Sequence, residues 1–323
     1  MSLSSRWRVL LSVVVAVSAA TVAKADDYPS RPVRLIVGFT PGAAGDIAAR
    51  EVGARMAQTL GQPVIIENKP GASSNIAADF VARAPKDGYT IFLGTVANAL
   101  NAAITPNLSY DFSKDFAPIG LAAIVPVILV VHPATGVSTV AELIALAKSK
   151  PEQILYASTG AGTTPHLAGE LLNAQAGIKM LHVPYPGSPQ AVTDLLAGRT
   201  QVMFASASTV LPHVESGALR ALASAARTRP SVAPNLPTMA ELGMPDLDAS
   251  IWFGIMAPAG TPAEVSEKLI RALDAAMKSE DLLSSLKRQG FEPLPGTPEE
   301  FASYIQHEMK KWSAAAQSAG LKK

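Results

Sequence analysis

Short apolar, β-branched runs recur along this whole chain, at 33–39, 64–67, 90–94, 124–131, 154–157, 201–204, 219–223 and 251–257, and Ala/Leu-rich stretches of helical spacing lie between most of them. Strands covered on both faces read as continuous apolar runs, and amphipathic helices supply the cover, so the alternation predicts α/β layers with mostly parallel sheets. Turn residues punctuate it at Pro41-Gly42, Pro70-Gly71, Asp87-Gly88, Gly160/Gly162, Pro186-Gly187 and Ala259-Gly260. In such sheets ligands collect at the carboxyl ends of strands, where helix N-termini present unpaired N–H groups. The loops after Phe39, Gly94, Ala157, Val183 and Phe204 are therefore the candidate ligand loops.

Two extended runs look like crossings between lobes: 124–132, ending at Pro133, and 251–257, ending at Pro258. They imply one lobe built from residues 26–128 and 252–323 and a second from 129–251. Residues 1–25 read as an export signal, with Arg6 and Arg8, an apolar run over 9–20, and Ala23-Lys24-Ala25 as the expected cleavage site. The run is too short for a membrane span. After cleavage, 24 of the 27 Lys and Arg face 26 Asp and Glu, a formal charge of −2, which argues against nucleic-acid or membrane-surface partners. The sequence has no cysteine, so disulfides and thiol catalysis are excluded and the hydrophobic core must hold the fold.

Catalytic signatures are missing. No phosphate loop, Gly-x-Ser-x-Gly elbow or His-Glu-x-x-His helix occurs, and in Gly160-Ala161-Gly162-Thr163-Thr164-Pro165 a proline stands where a dinucleotide fingerprint needs its third glycine. His166 and Glu170 have metal spacing on a helix, but two ligands do not make a site; His166 is expected to cap or pack its helix start. His182 falls at a strand end near the expected cleft with no acid in its immediate sequence vicinity. Trp252-Phe253 fits a core strand better than a pocket wall. No cofactor or metal is expected.

Two loops do carry chemistry. In the first, Phe39-Thr40-Pro41-Gly42-Ala43-Ala44-Gly45-Asp46 joins a strand to a helix over 47–60; small side chains open the backbone N–H groups to a ligand, and Asp46 is expected as the helix N-cap. Its counterpart, Ser158-Thr159-Gly160-Ala161-Gly162-Thr163-Thr164-Pro165, crowds hydroxyls and N–H groups at another helix start. Facing one another across a cleft, such loops can hold a carboxylate without a formal cation.

Ordered blocks along nearly the whole exported chain resemble the extracytoplasmic receptors of tripartite tricarboxylate transporters, the Bug receptor family. They are Tyr28-Pro29-Ser30-Arg31-Pro32-Val33 with Pro41-Gly42 and Asp46, Glu67-Asn68-Lys69-Pro70-Gly71-Ala72 with Asn75-Ile76, and Asp87-Gly88-Tyr89-Thr90. Further blocks are Tyr156-Ala157-Ser158, His166-Leu167-Ala168-Gly169-Glu170, Val183-Pro184-Tyr185, Trp252-Phe253-Gly254 with 257–262, and Thr297-Pro298-Glu299-Glu300-Phe301. The resemblance implies a type II periplasmic-binding-protein fold that hinges shut on small carboxylates. It also implies binding positions at Phe39–Asp46, Thr95, Asn98, Ser158–Thr164, Pro184, Tyr185, Ala205 and Ser206. Ala43 and Ala44 depart from glycines usual in the family, and Ala205 stands where an Asp commonly follows Met-Phe, which disfavours ligands bearing an amino group.

The expected function is thus a non-catalytic, monomeric periplasmic receptor for a small organic carboxylate, a dicarboxylate or aromatic acid before an amino acid, which it delivers to inner-membrane permease subunits. The alternatives are a secreted hydrolase-type α/β enzyme and a ligand-sensing receptor for a signalling partner.

Overall fold

The structure is a computed structural model that describes residues 28–318 apart from Pro106; the expected export signal lies outside the described residues. The chain opens with β1 (Val33–Val37), α1 (Ala44–Leu60), β2 (Val64–Asn68), α2 (Asn75–Ala82), β3 (Thr90–Thr95), α3 (Val96–Ile104) and β4 (Phe116–Val125). It continues through β5 (Val127–Val131), α4 (Val140–Ser149), β6 (Leu155–Ser158), α5 (Thr164–Ala176), β7 (Leu181–Pro184), α6 (Ser188–Leu196), β8 (Val202–Ser206), α7 (Ala207–Glu215) and β9 (Arg220–Ser224). It closes with β10 (Ile251–Pro258), α8 (Ala263–Met277), α9 (Glu280–Arg288), β11 (Glu292–Gly296) and α10 (Pro298–Ser318).

These elements make two lobes. One carries a six-stranded sheet in the order β11-β4-β10-β3-β1-β2, the other a five-stranded sheet in the order β7-β6-β8-β5-β9. Strand β1 shows why the sequence folds so: Val33, Leu35, Ile36 and Val37 are all buried, because helices cover both faces. Helix α1 lies close over the sheet on a stripe of small residues, Ala44, Ala48, Ala49 and Gly53; a Cβ on Gly53 would stand 3.1 Å from Val64 Cγ1. Its end is set by Gly61, in the left-handed conformation that a glycine adopts without steric cost.

The sheets are mixed, which corrects the expectation of mostly parallel ones. Four pairings are parallel, β1–β2, β1–β3, β6–β7 and β6–β8, but every pairing made by β4, β5 and β10 is antiparallel. The physical reason is that these strands carry the chain from lobe to lobe and enter each sheet against its prevailing direction. The first passage is at Pro126, which has no N–H to continue a ladder and whose carbonyl instead accepts from Ala207 N at 2.8 Å. The return reaches lobe 1 at Ile251, which pairs with Val125, so the two passages lie side by side. Strand β10 belongs wholly to the first sheet.

Candidate binding cleft

A cleft between the lobes, about 450 Å³ counted out to its open mouth, is lined by Phe39, Ala43, Ala44, Gly45, Thr95, Val96, Ala97, Ile251 and Phe253 on one side and by Thr159, Thr163, Thr164, Pro165, Ser188, Met203, Ala205 and Ser206 on the other. No ionisable acid or base occurs among these residues.

The polar character comes from the backbone. Ala43, Thr95, Thr163, Gly187 and Ser206 are the residues at which α1, α3, α5, α6 and α7 begin, so five helix N-termini converge on the cleft, two from lobe 1 and three from lobe 2. In α1 the first intrahelical bond is Ile47 N to Ala43 O, 3.0 Å, which leaves the N–H groups of Ala44 and Gly45 without a helical acceptor. In α5 it is Leu167 N to Thr163 O, 3.0 Å, leaving Thr164 N–H in the same position. The Thr164 side chain adds an unspent donor: its Oγ1 is buried with no protein partner, and the residue is 1% exposed. Each N-terminus favours an anion by about 0.3–1 kcal/mol, and by up to ~2 kcal/mol where partly buried.

Asp46 is not the N-cap that its position suggested. Ala43 caps α1, and Asp46 sits three residues inside, where its carboxylate reaches back to Gly42 N at 3.0 Å. The same carboxylate takes two bonds from Arg50, both 2.9 Å, and one from Asn68 Nδ2 at 2.9 Å. Burial alone would raise its pKa, yet these hydrogen bonds and the Arg50 charge hold it below the usual carboxylate range. The acid is committed to shaping the loop, which turns at Gly42 with φ of 79°.

The lobe 2 loop is shaped by neutral groups instead. Ser158 Oγ bonds Gly160 N at 3.1 Å and His182 Nε2 at 2.6 Å, and His166 Nδ1 accepts from Gly162 N at 3.3 Å. Ser158 is fully buried, so this Ser–His pair braces a loop and presents no nucleophile to the cleft. Tyr185 also acts from behind: its N–H bonds Ser158 O at 3.0 Å, while its hydroxyl donates to Asp194 at 2.8 Å.

Of the expected binding positions, Phe39, Ala43, Ala44, Gly45, Thr95, Thr159, Thr163, Thr164, Ala205 and Ser206 meet at the cleft wall. Ser158 and Tyr185 stand behind it, Gly160 and Pro184 lie outside the lining, and Asn98, fully buried, accepts Thr95 N at 3.2 Å to close the start of α3. Thr40, Pro41 and Gly42 form the rim. Sequence reasoning did not select Val96, Ala97, Pro165, Ser188, Met203 or Ile251, and it assigned Phe253 to the core. Ser188 had a readable signal, the Pro186-Gly187 turn at a helix start; Phe253 is placed by its sheet register opposite Thr95.

The lobes touch around the cleft. Ser73 Oγ donates to Ala161 O at 2.5 Å, from a turn in which Ala72, Ser73 and Ser74 all have left-handed φ. A Cβ on Gly187 would stand 2.1 Å from Thr40 Oγ1, and one on Gly42 3.6 Å from Pro189.

Two α/β lobes joined by paired passages, with helix N-termini aimed into the gap, define a solute-binding protein. The family model of the tripartite tricarboxylate transporter family receptor matches residues 48–321, and the chain belongs to that family. Protein BugT of Bordetella pertussis (strain Tohama I) is 34% identical over 320 residues, 98% of each chain. A structure of R. palustris Rpa4515 with adipate superposes with a TM-score of 0.87 at 36% identity, over 91% of this chain and 99% of that one. MatC (Rpa3494) from Rhodopseudomonas palustris, with bound malate, gives a TM-score of 0.84 at 32% identity, over 89% and 99%. The family is one of solute-binding receptors, not enzymes, and no helix among the described residues is long and apolar enough to cross a membrane.

Proposed function

We propose that this chain is exported to the periplasm after cleavage following Ala25, captures a small organic carboxylate in the interlobe cleft, and delivers it to inner-membrane permease subunits as a monomer. The observation that carries the reading is the convergence of five helix N-termini on a cleft lined by no cation, an arrangement that favours negative charge without a fixed counter-ion. The binding positions are the cleft-wall residues, with Phe39–Asp46 supplying the lobe 1 half and Ser158–Thr164 the lobe 2 half.

A dicarboxylate or an aromatic acid fits better than an amino acid. The wall contains no carboxylate to pair with an ammonium group, and Ala205 occupies the place where the family resemblance puts an Asp. Phe39, Phe253, Met203 and Ile251 offer an apolar surface for the body of the ligand. Ligand binding favours the shut arrangement by bridging both loops, since only the closed lobes bring α1 and α5 to one anion.

The test is a thermal-shift screen of the purified protein against dicarboxylates, aromatic monocarboxylates and amino acids. A true ligand at about 100 times its dissociation constant adds about 2.7 kcal/mol of stability. Stabilisation by aspartate or glutamate in preference to adipate, malate or benzoate would contradict the ligand class, and no stabilisation by any acid would contradict the reading as a whole.

A further inference from the structure

Behind the lobe 2 half of the cleft lies a cluster of ionisable groups that ligand contact does not require. The rings of His166 and His182 are 4.2 Å apart, and His182 stacks in turn on Tyr156 at 5.0 Å. Tyr156 is buried and donates its hydroxyl to Glu170, one turn along α5 from His166. Both imidazoles bond the ligand loop: His182 through Ser158 Oγ, 2.6 Å, and His166 through Gly162 N, 3.3 Å.

The direction of the second bond matters. An N–H group of the loop donates to His166 Nδ1, so that nitrogen must carry a lone pair, and the ring must be neutral with its proton on Nε2. Protonation would replace the acceptor by a second N–H aimed at the Gly162 amide. It would also set a full positive charge in the first turn of α5, at the end where the helix is already positive.

We propose that His166 and His182 are positioning residues whose neutral form holds the 158–164 loop in its anion-binding shape, so that proton uptake by the pair loosens the lobe 2 half of the cleft and releases the ligand. The inference rests on the reading of the cleft as a carboxylate site.

The surroundings keep the pair neutral at ordinary pH. Burial lowers the pKa of His182 to about 4, with the neighbouring His166 adding to the effect, and burial also lowers that of His166 although Glu170 opposes it. The titratable groups facing the pair are Tyr156 on β6 and Glu170 on α5. Strand β8 and helix α3, which also pack on α5, contain no titratable residue. A ligand anion reinforces the folded loop, and acid opposes it.

The test follows the imidazole signals of the purified protein by NMR from about pH 8 to about pH 3, together with the Gly160 and Gly162 amides and the affinity for adipate. Three chains are compared: native, His166→Asn, which keeps an acceptor near the place of Nδ1 but cannot take a proton, and His166→Ala, which has neither. In the native protein the two glycine amides should move in step with imidazole protonation, and adipate affinity should fall by up to about tenfold per pH unit below the pKa of the pair. Protonation of adipate itself is common to all three chains, so the native-to-variant ratio removes it. The ratio of native to His166→Asn affinity should therefore fall on acidification, while His166→Ala should bind more weakly than His166→Asn across the range. Imidazoles that titrate without moving either glycine amide, or a native-to-Asn ratio independent of pH, would overturn the proposal. Should adipate fail to bind at any pH, the choice of ligand class is at fault, and the coupling of the glycine amides to the imidazoles still decides for or against the brace.

Discussion

The β1–α1 loop and the β6–α5 loop meet the same cleft with different chemistry behind them. Lobe 1 fixes its loop with a buried carboxylate that takes bonds from Arg50, Gly42 N and Asn68, a charged network whose acid is held ionised. Lobe 2 fixes its loop with a serine hydroxyl and two imidazoles, all neutral in the folded form. Both solutions leave helix N–H groups free for an anion, and they differ in what disturbs them. Lobe 1 resists acid until its carboxylate is protonated; lobe 2 is sensitive wherever its imidazoles take up protons. One half of the site can therefore be perturbed with the other left standing.

The largest effect should come from preventing the halves from meeting. Gly187→Val places a branched side chain where even a Cβ would stand 2.1 Å from Thr40 Oγ1. Calorimetric titration should show affinity falling by about 100-fold or more, because the shut state loses population, while the melting temperature of the free protein changes little. Gly42→Val attacks the lobe 1 rim, at a φ of 79° that a β-branched residue cannot hold without strain, and should abolish ligand-induced stabilisation with the fold retained. Wild-type affinity in either variant would remove that loop from the site.

Asp46→Ala separates the lobes by stability. It leaves Gly42 N without its acceptor and takes one of two acceptors from Asn68 Nδ2, which keeps the Phe39 carbonyl, and urea denaturation should show a loss of about 1–3 kcal/mol. The sign with pH follows from the lowered pKa: the stabilisation is present above the ordinary value of 3.8 and is lost as pH falls through the folded value, so the native-minus-variant difference should shrink only in strong acid. The lobe 2 counterpart behaves differently. For His182 the folded form rejects a proton that the unfolded chain accepts, so native stability declines as pH falls from 6.5 toward about 4 and is unaffected above that window. His182→Gln should flatten this decline in a denaturation series.

The smallest expected effect concerns the cross-cleft bond from Ser73 to Ala161 O. Ser73→Ala removes a single hydrogen bond made only when the lobes meet, and should weaken ligand by about tenfold or less. Faster ligand dissociation in stopped-flow fluorescence would place the loss in the closed state, and an unchanged rate would show that this contact does not hold the lobes shut.

How much of this was legible beforehand depended on where burial is complete. Strands β3, β5 and β8 are buried throughout and read directly as apolar runs. Strand β11 did not, because Pro293 and Pro295 interrupt it and its residues are only half-buried, and β7 is mostly half-exposed. Strand direction was invisible for a different reason: an apolar run is the same read either way, so the antiparallel entry of β4, β5 and β10 needed the structure. At the site, helix starts were visible through Gly, Pro and hydroxyl residues, which led to Ala43–Gly45 and Thr163–Thr164. Phe253 and Met203 were hidden because a side chain that walls a cleft has the composition of one that fills a core. Ser158, His166 and His182 stand on three elements whose approach no local spacing encodes, and so the brace emerged only in three dimensions.

The most direct measurement is a crystal structure of the protein with the acid that stabilises it most. The carboxylate oxygens should lie within hydrogen-bond distance of the amides that open α1 and α5, at Gly45 and Thr164, with no lysine or arginine in contact. A carboxylate held by a basic side chain, or bound outside the gap between the lobes, would contradict the picture of an anion kept by helix N-termini alone.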